Sequence, residues 1–130
     1  MKIAEVSEKT GVSPDTLRYY ERVGLLPSVR RNEGGIREYD ATDLRRIEFI
    51  KCMRRAGLPV ETLIDYVQLV LQGDQTIEAR KEILQEQRDL LAARIAEMQK
   101  TLDLLNYKIS VYESALLEKE KEMLSRVEEF

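Results

Sequence analysis

Apolar positions along the chain follow two regimes that part near Gly73-Asp74. Before that point they come in short runs punctuated by Gly and Pro; after Thr76 neither residue occurs again. Ile3, Val6 and Thr10 stand at helical spacing with Gly11 behind them, which predicts a first short helix closed by glycine. Ser13-Pro14-Asp15 opens a second. Serine is a good cap, proline is tolerated at the first helical position, and aspartate favours the positive helix end. That helix runs through Thr16 to Arg22 and stops at Gly24. Two short helices across a tight turn, over about residues 3–23, make a helix-turn-helix.

Residues 28–39 make a poor helix. Asn32-Glu33-Gly34-Gly35 is a turn cluster between Val29-Arg30-Arg31 and Ile36-Arg37-Glu38-Tyr39, so a small β-hairpin, or wing, with Arg on both arms is expected. Asp40 or Thr42 caps a third helix over Asp43 to Ala56, and Pro59 opens a fourth over about Val60 to Leu71. Further on, Leu91, Ile95, Met98, Leu102, Leu105, Ile109, Tyr112 and Leu116 step alternately by four and three, a heptad seam. A helix of about forty residues is about 60 Å long. A small head cannot bury a stripe of that length, and its simplest cover is a second copy of the chain. The expected layout is a head over 1–73, a dimerisation helix over 74–117 and a short acidic tail over 118–130. The fold class is mainly α.

Composition narrows the function. Charged residues make up 35% of the 130, with a net charge of −3, which suits long solvated helices. No apolar run approaches the roughly 18 residues that span a bilayer. Met1 to Thr10 reads as a structured segment, not a leader, so the expected compartment is the cytoplasm, with no membrane partner. Histidine is absent and cysteine occurs once. That removes Ser-His and Cys-His pairs, an imidazole base, a His-containing zinc site and an internal disulfide. No catalytic residue, cofactor or metal is expected. Charge is also uneven: residues 1–59 carry 12 Lys and Arg against 9 Asp and Glu, and residues 60–130 carry 9 against 15. A mildly basic head on an acidic remainder points to a polyanion reader attached to something else.

With Leu17 turned inward on a helical wheel, Asp15, Arg18, Tyr19 and Arg22 point outward, Thr16 lies at the margin and Tyr20 near the core edge. Guanidinium grips phosphate or the guanine edge, and hydroxyls bond phosphate oxygens. The alternative makes Arg18 and Arg22 solvated charges paired with Asp15 or Glu21. A capped helix-turn-helix followed by an Arg-bearing wing tips the balance toward duplex DNA.

The residues Ile3-Ala4-Glu5-Val6, Thr10-Gly11-Val12-Ser13, Thr16-Leu17-Arg18-Tyr19-Tyr20-Glu21, Gly24-Leu25-Leu26, Arg37, Tyr39, Leu44 and Ile47 resemble the DNA-binding signature of the MerR family of bacterial transcription regulators. The resemblance implies a winged helix-turn-helix, a second wing built from the third and fourth helices (about 43–71), and an antiparallel coiled coil joining two protomers. It puts Thr16, Arg18 and Tyr19 on the major groove and its phosphates, Tyr20 near the backbone, and Arg37 and Tyr39 on the first wing. Members typically bind a palindromic promoter operator with an overlong spacer. They bend and undertwist it so that RNA polymerase engages both elements, a deformation costing on the order of 1–10 kcal/mol.

What switches such a protein is a separate matter. Metal sensors of the family cluster Cys near the end of the long helix, where Ser110 to Phe130 has none. Drug sensors append a ligand domain, for which the residues after Leu116 are too few. Cys52 remains, beside Lys51, Arg54 and Arg55, whose positive field favours thiolate, with Glu48 one turn away opposing it. A thiolate attacks electrophiles or is oxidised; alternatively a free Cys only fills space. The single Cys here, together with Gly73-Asp74 and Glu78-Ala79-Arg80, resembles the NmlR/AdhR-type subgroup. That likeness implies a response to carbonyl electrophiles and thiol stress through this cysteine. Two other readings stay open: an inert Cys52 with a non-covalent effector, and a coiled-coil adaptor that binds protein instead of DNA.

Overall fold

A computed structural model describes residues 1–122. In order come α1 (Ile3–Thr10), α2 (Pro14–Arg22), the wing, α3 (Ala41–Arg55), α4 (Val60–Gln72), a 3-10 turn (Asp74–Thr76) and α5 (Ile77–Glu122). The chain gathers into two compact units, Met1–Leu91 and the stretch from Ala92 onward.

Local chemistry sets the helix ends of the first unit. Gly11 takes a left-handed φ of 75° and returns its N–H to the Ser7 carbonyl, closing α1. Ser13 Oγ accepts from the Thr16 N–H at 3.1 Å and Pro14 occupies the first turn, so α2 starts where the sequence places it. α3 starts at Ala41, earlier than expected, because Asp40 and Asp43 form a reciprocal capping box: Asp40 Oδ1 accepts from the Asp43 N–H and Asp43 Oδ2 from the Asp40 N–H.

The wing departs from expectation. Among the described residues no strand forms; the two arms share one antiparallel bridge, Arg31 to Arg37. Like charges opposite each other weaken cross-strand pairing, and Arg37 turns to Glu21 instead. The tip is held by Asn32, whose Oδ1 accepts from Gly34 and Ile36 N–H. At its base, the Tyr39 N–H donates to the Met1 carbonyl and Lys2 pairs with Glu38.

One core serves the whole unit. Val6, Leu17, Leu25, Leu26, Ile47 and Ile50 are fully buried and join α1, α2, the following loop and α3. Burying each such side chain is worth about 1.5–3 kcal/mol. At the joint after α4, Gly73 sits at φ 102° and ψ −169°, a backbone region open essentially to glycine. The buried Thr76 hydroxyl donates to the Leu69 or the Gly73 carbonyl. Arg80 donates to both Thr76 Oγ1 and the Gly73 carbonyl.

From Ala92 the second unit is the remainder of α5, which continues past residue 117 to Glu122 without a break. Residues 123–130 of the expected acidic tail lie outside the described residues. No described helix is long and apolar enough to cross a membrane.

Candidate nucleic-acid interface

α2 is anchored by Leu17 and Tyr20 inward, which leaves its other face to solvent. Thr16 sits at the N-terminal end, its hydroxyl taking a hydrogen bond from Ser13. Arg18 is exposed and pairs with Asp15 at 3.0 Å, one turn back. Such an exposed pair is worth about 0–1 kcal/mol and opens easily to a phosphate. Tyr19 is exposed, with the Arg22 guanidinium 5.4 Å above its ring. Thr16, Arg18, Tyr19 and Arg22 therefore share one accessible face with cationic and hydroxyl chemistry.

The other three expected residues are less exposed, Tyr20 lying toward the core as the wheel places it. Tyr20 is only 8% exposed, and burial pushes its phenol above the ordinary range against the lowering field of Arg54. Tyr39 is buried in the core, its hydroxyl has no hydrogen-bond partner, and burial likewise raises it. Wheel geometry and the hairpin pattern give these rings a direction without a depth; both rings join the hydrophobic core of the first unit. Arg37 is half-buried, its Nε 2.7 Å from Glu21 Oε1. It is a strut between wing and helix, not a free cation.

Arg22, Arg30, Arg46 and Arg55 have no carboxylate partner among the described residues. Arg22 and Arg55 were detectable in sequence, since neither has an acid three or four positions away.

Cys52 lies exposed on α3. Its cationic neighbours are partly committed: Lys51 donates to the Thr10 carbonyl and Arg54 to the Leu58 carbonyl at 2.7 Å. These bonds fix where the two cations sit without cancelling their charge. No group of three or more potential metal ligands occurs among the described residues. In the long helix Leu91 is half-buried, while Ile95, Met98, Leu102, Leu105, Ile109 and Tyr112 are all about half exposed or more. The seam stands uncovered.

A capped helix-turn-helix with a cationic, hydroxyl-bearing second helix and an adjoining wing defines a DNA-binding regulator. The profile described as "MerR HTH family regulatory protein" matches residues 1–70, and "MerR, DNA binding" matches 44–107. The chain belongs to the MerR family of helix-turn-helix transcriptional regulators, whose members are regulators, not enzymes. It is 56% identical over 91 residues to the HTH-type transcriptional regulator AdhR of Bacillus subtilis, covering 70% of this chain and 65% of that protein's length. A MerR family transcriptional regulator from Listeria monocytogenes superposes with a TM-score of 0.90 at 51% identity, covering 95% of this chain and 93% of that one. HiNmlR, a MerR family regulator lacking the sensor domain and solved bound to promoter DNA, gives 0.79 at 34% identity, covering 89% and 92%. These relatives place the chain beside AdhR and NmlR within the family.

Proposed function

We propose that two copies of the chain pair along the α5 seam, bind a palindromic promoter operator and distort it so that RNA polymerase can engage, with Cys52 as the switch. Dimerisation draws support from the exposed heptad seam, an apolar stripe of a kind that soluble chains cover with a partner. Operator contact rests on the outward face of α2, with Thr16, Arg18 and Tyr19 as the contacting residues. Tyr20, Arg37 and Tyr39 support that face from within. The cytoplasm is the compartment this reading requires.

The observation that carries the sensing role is the exposure of the chain's one thiol on α3, a helix whose Ile47 and Ile50 are part of the head's core. A Cys52 thiolate adds to an aldehyde carbonyl: the S–C bond forms, the C=O π bond breaks, and the new alkoxide takes a proton to give a hemithioacetal. The step is reversible and needs no oxidant. Any shift of α3 that it causes is transmitted to the packing of α1 and α2.

The test is a reporter driven by the regulator's own upstream region, challenged in cells with formaldehyde, methylglyoxal and diamide, comparing wild type with Cys52→Ser. Induction in wild type that disappears in Cys52→Ser supports thiol sensing. Equal induction in both removes Cys52 from the mechanism. A second reading has its own observation: a cavity of about 280 Å³ between α3 and α4, lined by Leu25, Phe49, Tyr66 and Val70 with Arg45 and Arg46. It would take a non-covalent effector in that case.

A further inference from the structure

The backbone ladder of the wing is short. One bridge joins its arms, flanked by the Glu38 N–H to the Arg30 carbonyl at 2.7 Å and the Asn32 N–H to the Ile36 carbonyl at 2.8 Å, and a pair so short has weak register of its own. Glu21, on α2, makes up the difference. Its Oε1 accepts from Arg37 Nε at 2.7 Å, on the second arm. Its Oε2 accepts from the Val29 N–H at 3.3 Å, on the first arm. One carboxylate thus holds both arms, one oxygen to each, and the pair is largely shielded, with side-chain exposures of 21% for Arg37 and 14% for Glu21. A charge-assisted hydrogen bond in a shielded place is stronger than an exposed ion pair.

We infer that Glu21 is a positioning residue for DNA recognition, stapling both arms of the wing to the recognition helix, and that Arg37 acts through it and does not grip phosphate. α2 and the wing then meet the duplex as one rigid body. The spacing between major-groove and wing contacts is set by this carboxylate, and sequence discrimination depends on it although Glu21 touches no base. A negative side chain within a DNA-binding helix otherwise opposes a polyanion. Its two internal partners account for its presence.

Phosphate gripping and internal bracing separate by salt dependence. Each phosphate neutralised contributes about −0.9 to the slope of log affinity against log salt on duplex DNA. A lost strut lowers affinity without changing that count. The experiment measures binding of the full chain to a duplex carrying its own upstream region, and to a random duplex of equal length, across salt. The variants are Glu21→Gln, Arg37→Gln, the double variant and Arg37→Lys. For a brace, each single substitution costs roughly tenfold or more in affinity for the upstream duplex. Much less is lost on the random one, and the slope is unchanged. The double variant is no worse than the poorer single one, because both remove the same link. Arg37→Lys, which keeps the charge but loses the Nε–H, does not rescue. Hydrogen exchange at the Val29 amide speeds up in Glu21→Gln.

The inference is overturned if Arg37→Gln lowers the slope by about one phosphate while Arg37→Lys restores it. It is equally overturned if Glu21→Gln binds both duplexes as well as wild type. Should Glu21→Gln lose helix content by circular dichroism, Arg37→Gln and Arg37→Lys carry the same decision. Wild-type protein showing no salt-dependent affinity for either duplex would refute DNA binding itself, a result separate from the variant outcomes.

Discussion

Thr10 ties the helix-turn-helix together, and its hydroxyl can be removed without changing the shape of the side chain. It is 1% exposed. Its hydroxyl donates to the Val6 carbonyl at 2.8 Å and accepts from the Val12 N–H at 3.2 Å, spanning the turn from α1 toward α2. Thr10→Val preserves the branched shape and removes both bonds. The Val6 carbonyl remains inside the helical ladder and loses little. The Val12 N–H, buried and now without a partner, bears the cost of an unsatisfied donor, about 1–3 kcal/mol. Thr10→Ser is the control, since it retains the hydroxyl and gives up one methyl group, about 0.8 kcal/mol. In a unit of this size 1 kcal/mol moves Tm by about 4–8 °C, so Thr10→Val should melt roughly 4–24 °C below wild type and below Thr10→Ser. The assay is thermal and urea unfolding followed by tyrosine fluorescence at fixed protein concentration. A Thr10→Val variant as stable as wild type would refute the account, for it would mean the hydroxyl satisfies nothing that water or backbone cannot.

Gly73→Ala should destabilise the joint after α4 by about 1–3 kcal/mol, since its backbone conformation excludes a side chain; denaturant midpoints check this. Leu102→Glu puts a charge into the middle of the seam and should convert dimer to monomer in sedimentation velocity, while the far-UV spectrum of the head survives. Acid affects the start of α3 in two opposed ways. Hydrogen bonding from the Asp43 backbone N–H holds Asp40 below the ordinary 3.8, so its contribution is full above that value and is lost as pH falls through the lower folded pKa. Burial lifts Asp43 above 3.8, so its protonation, coming first on acidification, favours the folded state. Asp40→Asn should therefore flatten the stability curve below about pH 4, and Asp43→Asn should remove a gain just above it, both read from unfolding titrations.

The ends of α1 and α2 were legible because short-range chemistry fixes them: Gly11 at a left-handed φ, Ser13 as cap, Pro14 behind it. The interface was less so. Arg37 meets Glu21 across sixteen positions, a separation at which no periodicity or capping rule operates, and that contact removes Arg37 from the free cations. Tyr39 carries the same turn-flanking pattern whether it faces DNA or the core, and its pairing with Met1 decides the matter. The side-chain positions of the cations flanking Cys52 are likewise illegible in sequence. Sequence supplies the charges of Lys51 and Arg54, but the carbonyls that orient them belong to Thr10, distant in sequence, and Leu58. Direct contact of Thr16, Arg18 and Tyr19 with DNA remains the proposal made from their shared face.

The uncovered seam carries a consequence for dosage. The head completes its core within one chain, whereas Ile95, Met98, Leu102 and Leu105 are exposed there and are covered only in the dimer proposed above. While paired molecules are the minority, their number grows with the square of the chain concentration, about fourfold per doubling. On that reading, occupancy of the proposed two-fold operator follows that square and not the first power. A cell's copy number of this protein thus acts as a threshold setting in its own right, and noise in expression near the threshold is amplified at the promoter before any effector arrives.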